Sequence, residues 1–331
     1  MFKKSDIASV DGGFGVFSAR NLEGKTISFR SAAVKLPSEH KELANWVDKT
    51  GHWLVGDKAV MNGTVQRGST DTKYYTSEEF RVMFLYALSQ LGVKNAAVIT
   101  GLPQESFKQL KGTHSENVKG FTEQLSKENG FTIANVVTIP QVMGALMSPN
   151  LRDVDGNAID LSHGKVGIID IGDGTIDAAE AFDGSPNPSV RYGANKGCSD
   201  IHRAILHGFK ESKKYDIGNE VTIHLIDRWL KDGEFFYRGD RVDINSIDFV
   251  KKAKAAYLQE VSTAIKETWG SSNTLRYLII SGGGAALLGR ELLEKIIPAK
   301  QLVIPDDPGE ANVSGFLEML RLQLAAKKLI A

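Results

Sequence analysis

Apolar and polar positions along the chain follow two periods, and the switches between them predict a mixed α/β protein. The opening IASVD is a short apolar run, DGGFG follows, and VFSAR resumes the extended pattern, so a hairpin with a tight turn is expected. Residues 24–72 mix strand-like pieces such as TISF and HWLVG with glycine breaks, which suits a small inserted subdomain. Phe80, Met83, Phe84, Ala87, Leu88 and Leu91 then fall on one face of a helix, with Thr76 and Glu79 in a capping-box pattern before it. AAVIT reads as a buried strand ending in GLP, the polar stretch 113–129 as a helix closed by Gly130, FTIANVVTIP as a strand, and 141–147 as a short helix behind Pro140.

Residues 149–165 are polar and turn-rich and read as a bridge between lobes, after which the opening pattern recurs. VGIIDI is an apolar strand, GDGT a turn and IDAAEAF a second strand, so each half begins with strand, Asp-bearing glycine turn, strand. The echo predicts two related α/β lobes. Helices are expected over 197–211, 219–231 and 246–267 around a hairpin, EFFYRGDRVDI; the strand LRYLII, the triplet Gly282-Gly283-Gly284, a helix from Ala285 and a last amphipathic helix from Gly315 complete the chain. That last helix is expected to pack back on the first lobe.

A length of 331 residues allows two core-bearing lobes. Lys plus Arg (40) balance Asp plus Glu (40), so no global field draws the molecule to nucleic acid or anionic lipid. Cys198 is the only cysteine, which excludes an internal disulfide framework and a multi-cysteine metal site; a reducing, cytoplasmic setting is expected. MFKK is followed at once by Ser5 and Asp6 rather than by the apolar core of a signal peptide, and no apolar run approaches the roughly 20 residues of a spanning helix.

The chemistry concentrates in the glycine turns. A nucleoside triphosphate needs several backbone N–H donors converging on its oxygens, which glycine-rich turns permit, and a divalent ion held by carboxylates directly or through water. Asp11 with Gly12, Gly13 and Gly15 supplies one such set, and Asp170 with Gly172, Gly174 and Thr175 another. One Asp-Gly turn alone reads more simply as a hairpin; two in equivalent places, with a glycine triplet between a buried strand and a helix, favour phosphate binding.

In order and spacing, DGGFG, PQVMGAL, DIGDGTID, ISGGGAALLG and ANVSGF resemble the five nucleotide-site segments of the actin, sugar-kinase and chaperone ATPase superfamily. The length and the TGLP segment look most like bacterial plasmid-segregation actins of the ParM/StbA type. The resemblance implies two actin-like, ribonuclease-H-like lobes with a nucleotide cleft between them: 1–161 plus 312–331, with an insertion at about 30–73, and 162–311, with an insertion at about 212–248. By position, Asp11 and Asp170 match the residues that hold the water shell of Mg2+, and Gly13, Phe14 and Gly15 match the first phosphate loop. Gly172, Asp173, Gly174 and Thr175 match the second, Gln141 the residue that positions the attacking water, Gly282 to Gly284 the adenosine segment, and Asn312 and Gly315 the second connecting segment. Asp170 is the expected proton acceptor. Many relatives carry a phosphate-reaching lysine near the end of the first motif, where Ser18 stands here; the grip is expected to rest on backbone amides and magnesium.

The resemblance implies an ATP-hydrolysing protein, with GTP as the alternative nucleotide, that assembles head to tail into filaments. It further implies plasmid or DNA segregation through a DNA-binding adaptor, with no direct nucleic-acid contact and no stable membrane insertion. A small-molecule kinase on the same fold, or a nucleotide-binding scaffold with little turnover, are the alternatives. Several other features read as structural: DVDGN as a surface turn because position twelve of a calcium loop would be Gly164, RGD as a hairpin turn, His202 and His207 as ordinary helix residues, and Cys198 as a small buried residue.

Overall fold

A computed structural model describes residues 1–62, 72–126, 130–149 and 151–330. The chain divides into two compact units, Met1–Leu151 with Pro305–Ala331, and Arg152–Ile304.

The first unit is built on a five-stranded sheet of β1 (Ile7–Gly12), β2 (Val16–Asn21), β3 (Thr26–Arg30), β7 (Asn95–Leu102) and β8 (Thr132–Pro140), in the order β3-β2-β1-β7-β8. β1 is antiparallel to β2 and parallel to β7, which is parallel to β8. Successive residues of a strand face opposite sides, and both sides of β1 are covered. Ala8 and Val10 pack with Phe80, Phe84 and Leu88 of α2 (Glu78–Leu91), whereas Ile7 packs with Phe316, Leu320 and Leu324 of α10 (Ala311–Ala326). A small sheet of β4 (Ala33–Lys35), β5 (Trp46–Asp48) and β6 (Gly51–Val55), in the order β4-β6-β5, is followed by α1 (Asp57–Met61). Residues 63–71 of the expected insertion lie outside the described residues. α3 (Gln104–Leu110), α4 (His114–Gly120) and the short α5 (Met143–Leu146) complete this unit.

The second unit repeats the plan. β9 (Lys165–Ile171), β10 (Ile176–Phe182), β11 (Ser185–Ala194), β14 (Leu275–Ser281) and β15 (Leu302–Val303) form a sheet in the order β11-β10-β9-β14-β15. Again the first strand is antiparallel to the second and parallel to the fourth, so the repeat read in the sequence is a repeat of topology. α6 (Cys198–Glu211), α7 (Ile223–Asp232), α8 (Asp248–Trp269) and α9 (Gly283–Leu293) pack around it, with the hairpin β12 (Glu234–Tyr237) and β13 (Asp240–Asp243). Arg238 and Gly239 both have positive φ (52° and 90°), which makes the RGD tripeptide the tip of that hairpin.

Several boundaries differ from the sequence reading. The cap of α2 is Ser77, not Thr76: the Ser77 hydroxyl oxygen accepts from the Phe80 N–H at 3.1 Å, and Thr76 closes a preceding 3-10 turn. α7 starts at Ile223 because Thr222 caps it through the Leu225 N–H. α9 begins at Gly283 and α10 at Ala311, each earlier than the apolar periodicity indicated. Within 113–129, the α-helix ends at Gly120 and a 3-10 turn, Phe121–Gln124, follows; residues 127–129 lie outside the described residues.

Candidate functional site

In the first unit, Asp11 stands near the end of β1 and is buried. Gln141, directly after β8, donates from Nε2 to Oδ1 of Asp11 at 2.9 Å, while its backbone N–H is fixed to the Leu102 carbonyl at 2.8 Å. The intervening strand β7 carries Gly101 here, and a Cβ at that position would come within 2.9 Å of Gln141 Cα and collide with the Phe316 ring. Absence of a side chain on the middle strand therefore makes room for the two flanking residues to meet.

The turn between β1 and β2 is pinned from below. The Gly13 carbonyl accepts from Ser31 Oγ at 2.5 Å and from the Tyr74 hydroxyl at 3.2 Å, and burial pushes that phenol well above its ordinary pKa. A Cβ at Gly12 would sit 2.5 Å from the Phe80 ring, and one at Gly13 would sit 2.8 Å from the Val16 carbonyl oxygen. Phe14 turns its ring into the core, with centroids 5.0 Å from Tyr74 and 5.7 Å from Tyr75. What Phe14 can offer a ligand is therefore its backbone alone.

Ser18 is the cross-strand partner of Asp11 and is buried. Its hydroxyl donates to Glu310 Oε1 at 2.7 Å, so the position without a lysine carries a Ser–Glu pair instead. Arg20 points to α10, with Nη1 donating to Ser314 Oγ at 3.2 Å. Asn312 is buried, and its Oδ1 accepts the Ala145 N–H at 3.1 Å. That bond ties α10 to α5, where a Cβ at Gly315 would run into the Gly144 carbonyl. Through these contacts Asn312 and Gly315 hold α10 against α5.

In the second unit, Asp170 near the end of β9 is buried and accepts from Ser281 Oγ at 2.9 Å. The registers place it beside Ser281 on one side and directly opposite Asp177 on the other. Asp177 is also buried, and sequence reasoning passed over it. Its signal was present as the last residue of DIGDGTID, but only the strand register reveals that it faces Asp170. The 172–175 turn is docked on the start of α6: the Gly172 N–H donates to the Thr175 carbonyl (2.9 Å), the Gly172 carbonyl accepts from the Cys198 N–H (3.0 Å), and the Asp173 carbonyl accepts from the Ser199 N–H (3.0 Å). Gly174 is part of this contact, since a Cβ at Gly197 would meet its backbone nitrogen at 2.6 Å. Cys198 is buried, and burial pushes its thiol well up, so it is inert as a nucleophile.

The glycine triplet separates into two roles. Gly282 has φ +82°, and a Cβ there would lie 2.8 Å from Asp170 Oδ1; one at Gly284 would overlap Ile171. Gly283 is different, since its Cβ would meet only Cys198 Sγ at 4.0 Å. The fold itself does not require glycine at 283, the first residue of α9.

Among the described residues no group of three or more His, Cys, Asp or Glu side chains could cage a metal ion. Single buried carboxylates such as Asp11 and Asp170 suit a magnesium ion that keeps most of its water. Among those residues, too, no helix is long and apolar enough to cross a membrane.

Residues 9–144 match the N-terminal domain of the actin-like proteins, and residues 168–294 match the C-terminal domain of the archaeal MreB-like actin homologues. The chain belongs to the actin-like proteins. Comparison with curated proteins finds no match. Among solved structures, a 15-stranded ParM filament from Clostridium botulinum superposes with a TM-score of 0.72 at 22% identity, covering 96% of this chain and 99% of that one. The archaeal actin homologue Ta0583 in complex with ADP gives 0.70 at 20% identity (96% and 99% covered), and the MamK double helical filament 0.65 at 14% (95% and 98%). At these identities the likeness is one of fold, and the α/β architecture is that of ParM-type actins.

Proposed function

We propose that the protein is a Mg-ATP-dependent ATPase that polymerises head to tail into dynamic filaments. The observation that carries this reading is the Gln141–Asp11 bond: a neutral amide held against a buried carboxylate at the start of a glycine turn. Because Nε2 is committed to Asp11, Oε1 of Gln141 is left to accept an O–H from a water molecule. An amide can orient that water but is too weak a base to deprotonate it. Asp170, buried and held by Ser281, is the group assigned to take the proton, directly or through water. Asp11 and Asp170 would hold magnesium through its water shell, and the bound ion would neutralise charge on the terminal phosphoryl group.

The backbones of Gly12, Gly13, Phe14 and Gly15, and of Gly172, Asp173, Gly174 and Thr175, are assigned to phosphate. The segment 282–284 is assigned to the adenosine, and the open face of Gly283 supports close approach of a flat group there. That a neighbour of the same fold was solved with ADP, and others as filaments, supports nucleotide binding and self-assembly. Heterologous contacts that do not close give open filaments. Segregation of plasmid or other DNA through a DNA-binding adaptor, in the cytoplasm, is the cellular role that fits this reading.

Pelleting of the full chain with Mg-ATP, with Mg-ADP and without nucleotide tests it, alongside Asp170→Asn. Assembly that depends on Mg-ATP and is lost in the variant is expected. Equal pelleting in all conditions would overturn the reading, and sugar-dependent ADP production would replace it with a kinase.

A further inference from the structure

Ser18 and Glu310 form a pair whose chemistry is wrong for an anion and right for a cation. Ser18 sits on β2 opposite Asp11 and is 4% exposed. Its proton is committed to Glu310 Oε1 at 2.7 Å, so its oxygen presents only lone pairs. Ser28 Oγ, on β3, lies 3.3 Å away. Glu310, just ahead of α10, has its second oxygen, Oε2, buried with no hydrogen-bond partner. Burial raises the Glu310 carboxyl above the usual range, and Asp307 adds to the rise; the Ser18 and Ser28 hydroxyls and the charge of Arg20 offset this only in part. Arg20 projects toward the same helix and gives its Nη1 to Ser314 at 3.2 Å, so its charge acts on Glu310 without a direct ion pair among the described residues.

A buried carboxylate oxygen without a partner is costly, and its negative charge beside the Asp11 turn would repel a polyphosphate. Arg20 offsets part of that charge, and a cation at Oε2 would complete the compensation. A divalent ion that sheds most of its water needs several carboxylates, which one carboxylate with one hydroxyl does not offer. A singly charged ion suits this donor set.

We propose that the Ser18–Glu310 pair is a site for a monovalent alkali cation, held by Glu310 Oε2 and the Ser18 hydroxyl oxygen with water completing the shell. The ion compensates charge beside the Asp11 turn when a nucleotide binds; this second part rests on the nucleotide reading above, whereas the site itself does not.

Two measurements separate the parts. The first is thermal unfolding of the nucleotide-free protein as K+ replaces choline at constant ionic strength, with Na+ as a parallel arm and thallium NMR as a direct reading of occupancy. Stabilisation by K+ or Na+ that disappears in Glu310→Gln and weakens in Ser18→Ala supports the site. An identical response in wild type and Glu310→Gln overturns it, as does no thallium signal in the wild type. The second is binding of a fluorescent ATP analogue with Mg2+ in K+ and in choline. Affinity is expected to fall roughly tenfold in choline, a change of about 1.4 kcal/mol, and Ser18→Lys, which builds an ammonium into the chain, should abolish the difference. Binding that ignores K+ but takes up a proton would mean that Glu310 is neutralised by protonation and would overturn the proposal. No nucleotide binding in any salt, with K+ stabilisation intact, would sink the nucleotide reading and leave the ion site standing.

Discussion

Gln141 reaches across β7 to Asp11, its Nε2 lying 2.9 Å from the Oδ1 of a residue 130 positions earlier in the chain. The contact exists because Gly101 leaves the middle strand bare at this level and because Pro140 ends β8 just before the glutamine. An amide so held is pre-oriented, which is the property that a water-positioning residue needs.

Gln141→Ala is therefore expected to lower single-turnover phosphate release by about a hundredfold or more while nucleotide affinity stays near that of the wild type. Rapid-quench kinetics beside equilibrium binding make the separation. Unchanged release in the variant would remove Gln141 from the mechanism.

The glycine triplet allows a sharper test of ligand approach. Gly283→Ala meets no side chain or backbone closer than Cys198 Sγ at 4.0 Å and lies in a helix, so stability should be held or raised by up to about 1 kcal/mol. Nucleotide affinity should nonetheless fall. Gly282→Ala, at φ +82° and against Asp170, should cost about 2–4 kcal/mol of stability. Chemical denaturation and ATP titration of both variants read this out; full nucleotide affinity in Gly283→Ala would mean that the open face serves no ligand.

His114 predicts an acid limb to the stability profile. Its ring is fully buried against Tyr75 and Phe80, and neither nitrogen has a hydrogen-bond partner. Burial lowers its pKa from 6.5 to about 4. The unfolded chain therefore takes up the proton first, so this residue's share of stability is complete above pH 6.5 and is lost as pH falls toward 4, by about 3 kcal/mol in all. His114→Phe should remove that part of the decline and raise stability at neutral pH by sparing two unsatisfied nitrogens. Urea midpoints measured across this pH range, unchanged in slope by the substitution, would refute the assignment.

Much of the fold was legible because burial follows period. The six positions read as one face of α2, from Phe80 to Leu91, are all buried, with Val82 and Leu85 buried beside them, and the strand–turn–strand echo marks two sheets of one topology. Caps were less legible, since Thr76 and Ser77 are both good candidates, and the backbone (Ser77 at φ −73°, ψ 159°) decides between them. Long-range relationships left no local trace. Asp177 read as one more strand position until the register set it opposite Asp170, and Ser18 was visible only as a departure from a pattern. Its partner Glu310 lies 292 positions away and carries no motif of its own. Likewise three glycines in a row cannot reveal that two serve packing and one does not.

Assembly coupled to turnover is the central claim, and light scattering recorded together with phosphate release after adding Mg-ATP tests it most directly. Scattering should rise above a threshold protein concentration and decay as phosphate appears, with a slower decay in Gln141→Ala. Phosphate release without scattering at any concentration, or scattering indifferent to nucleotide, would contradict it.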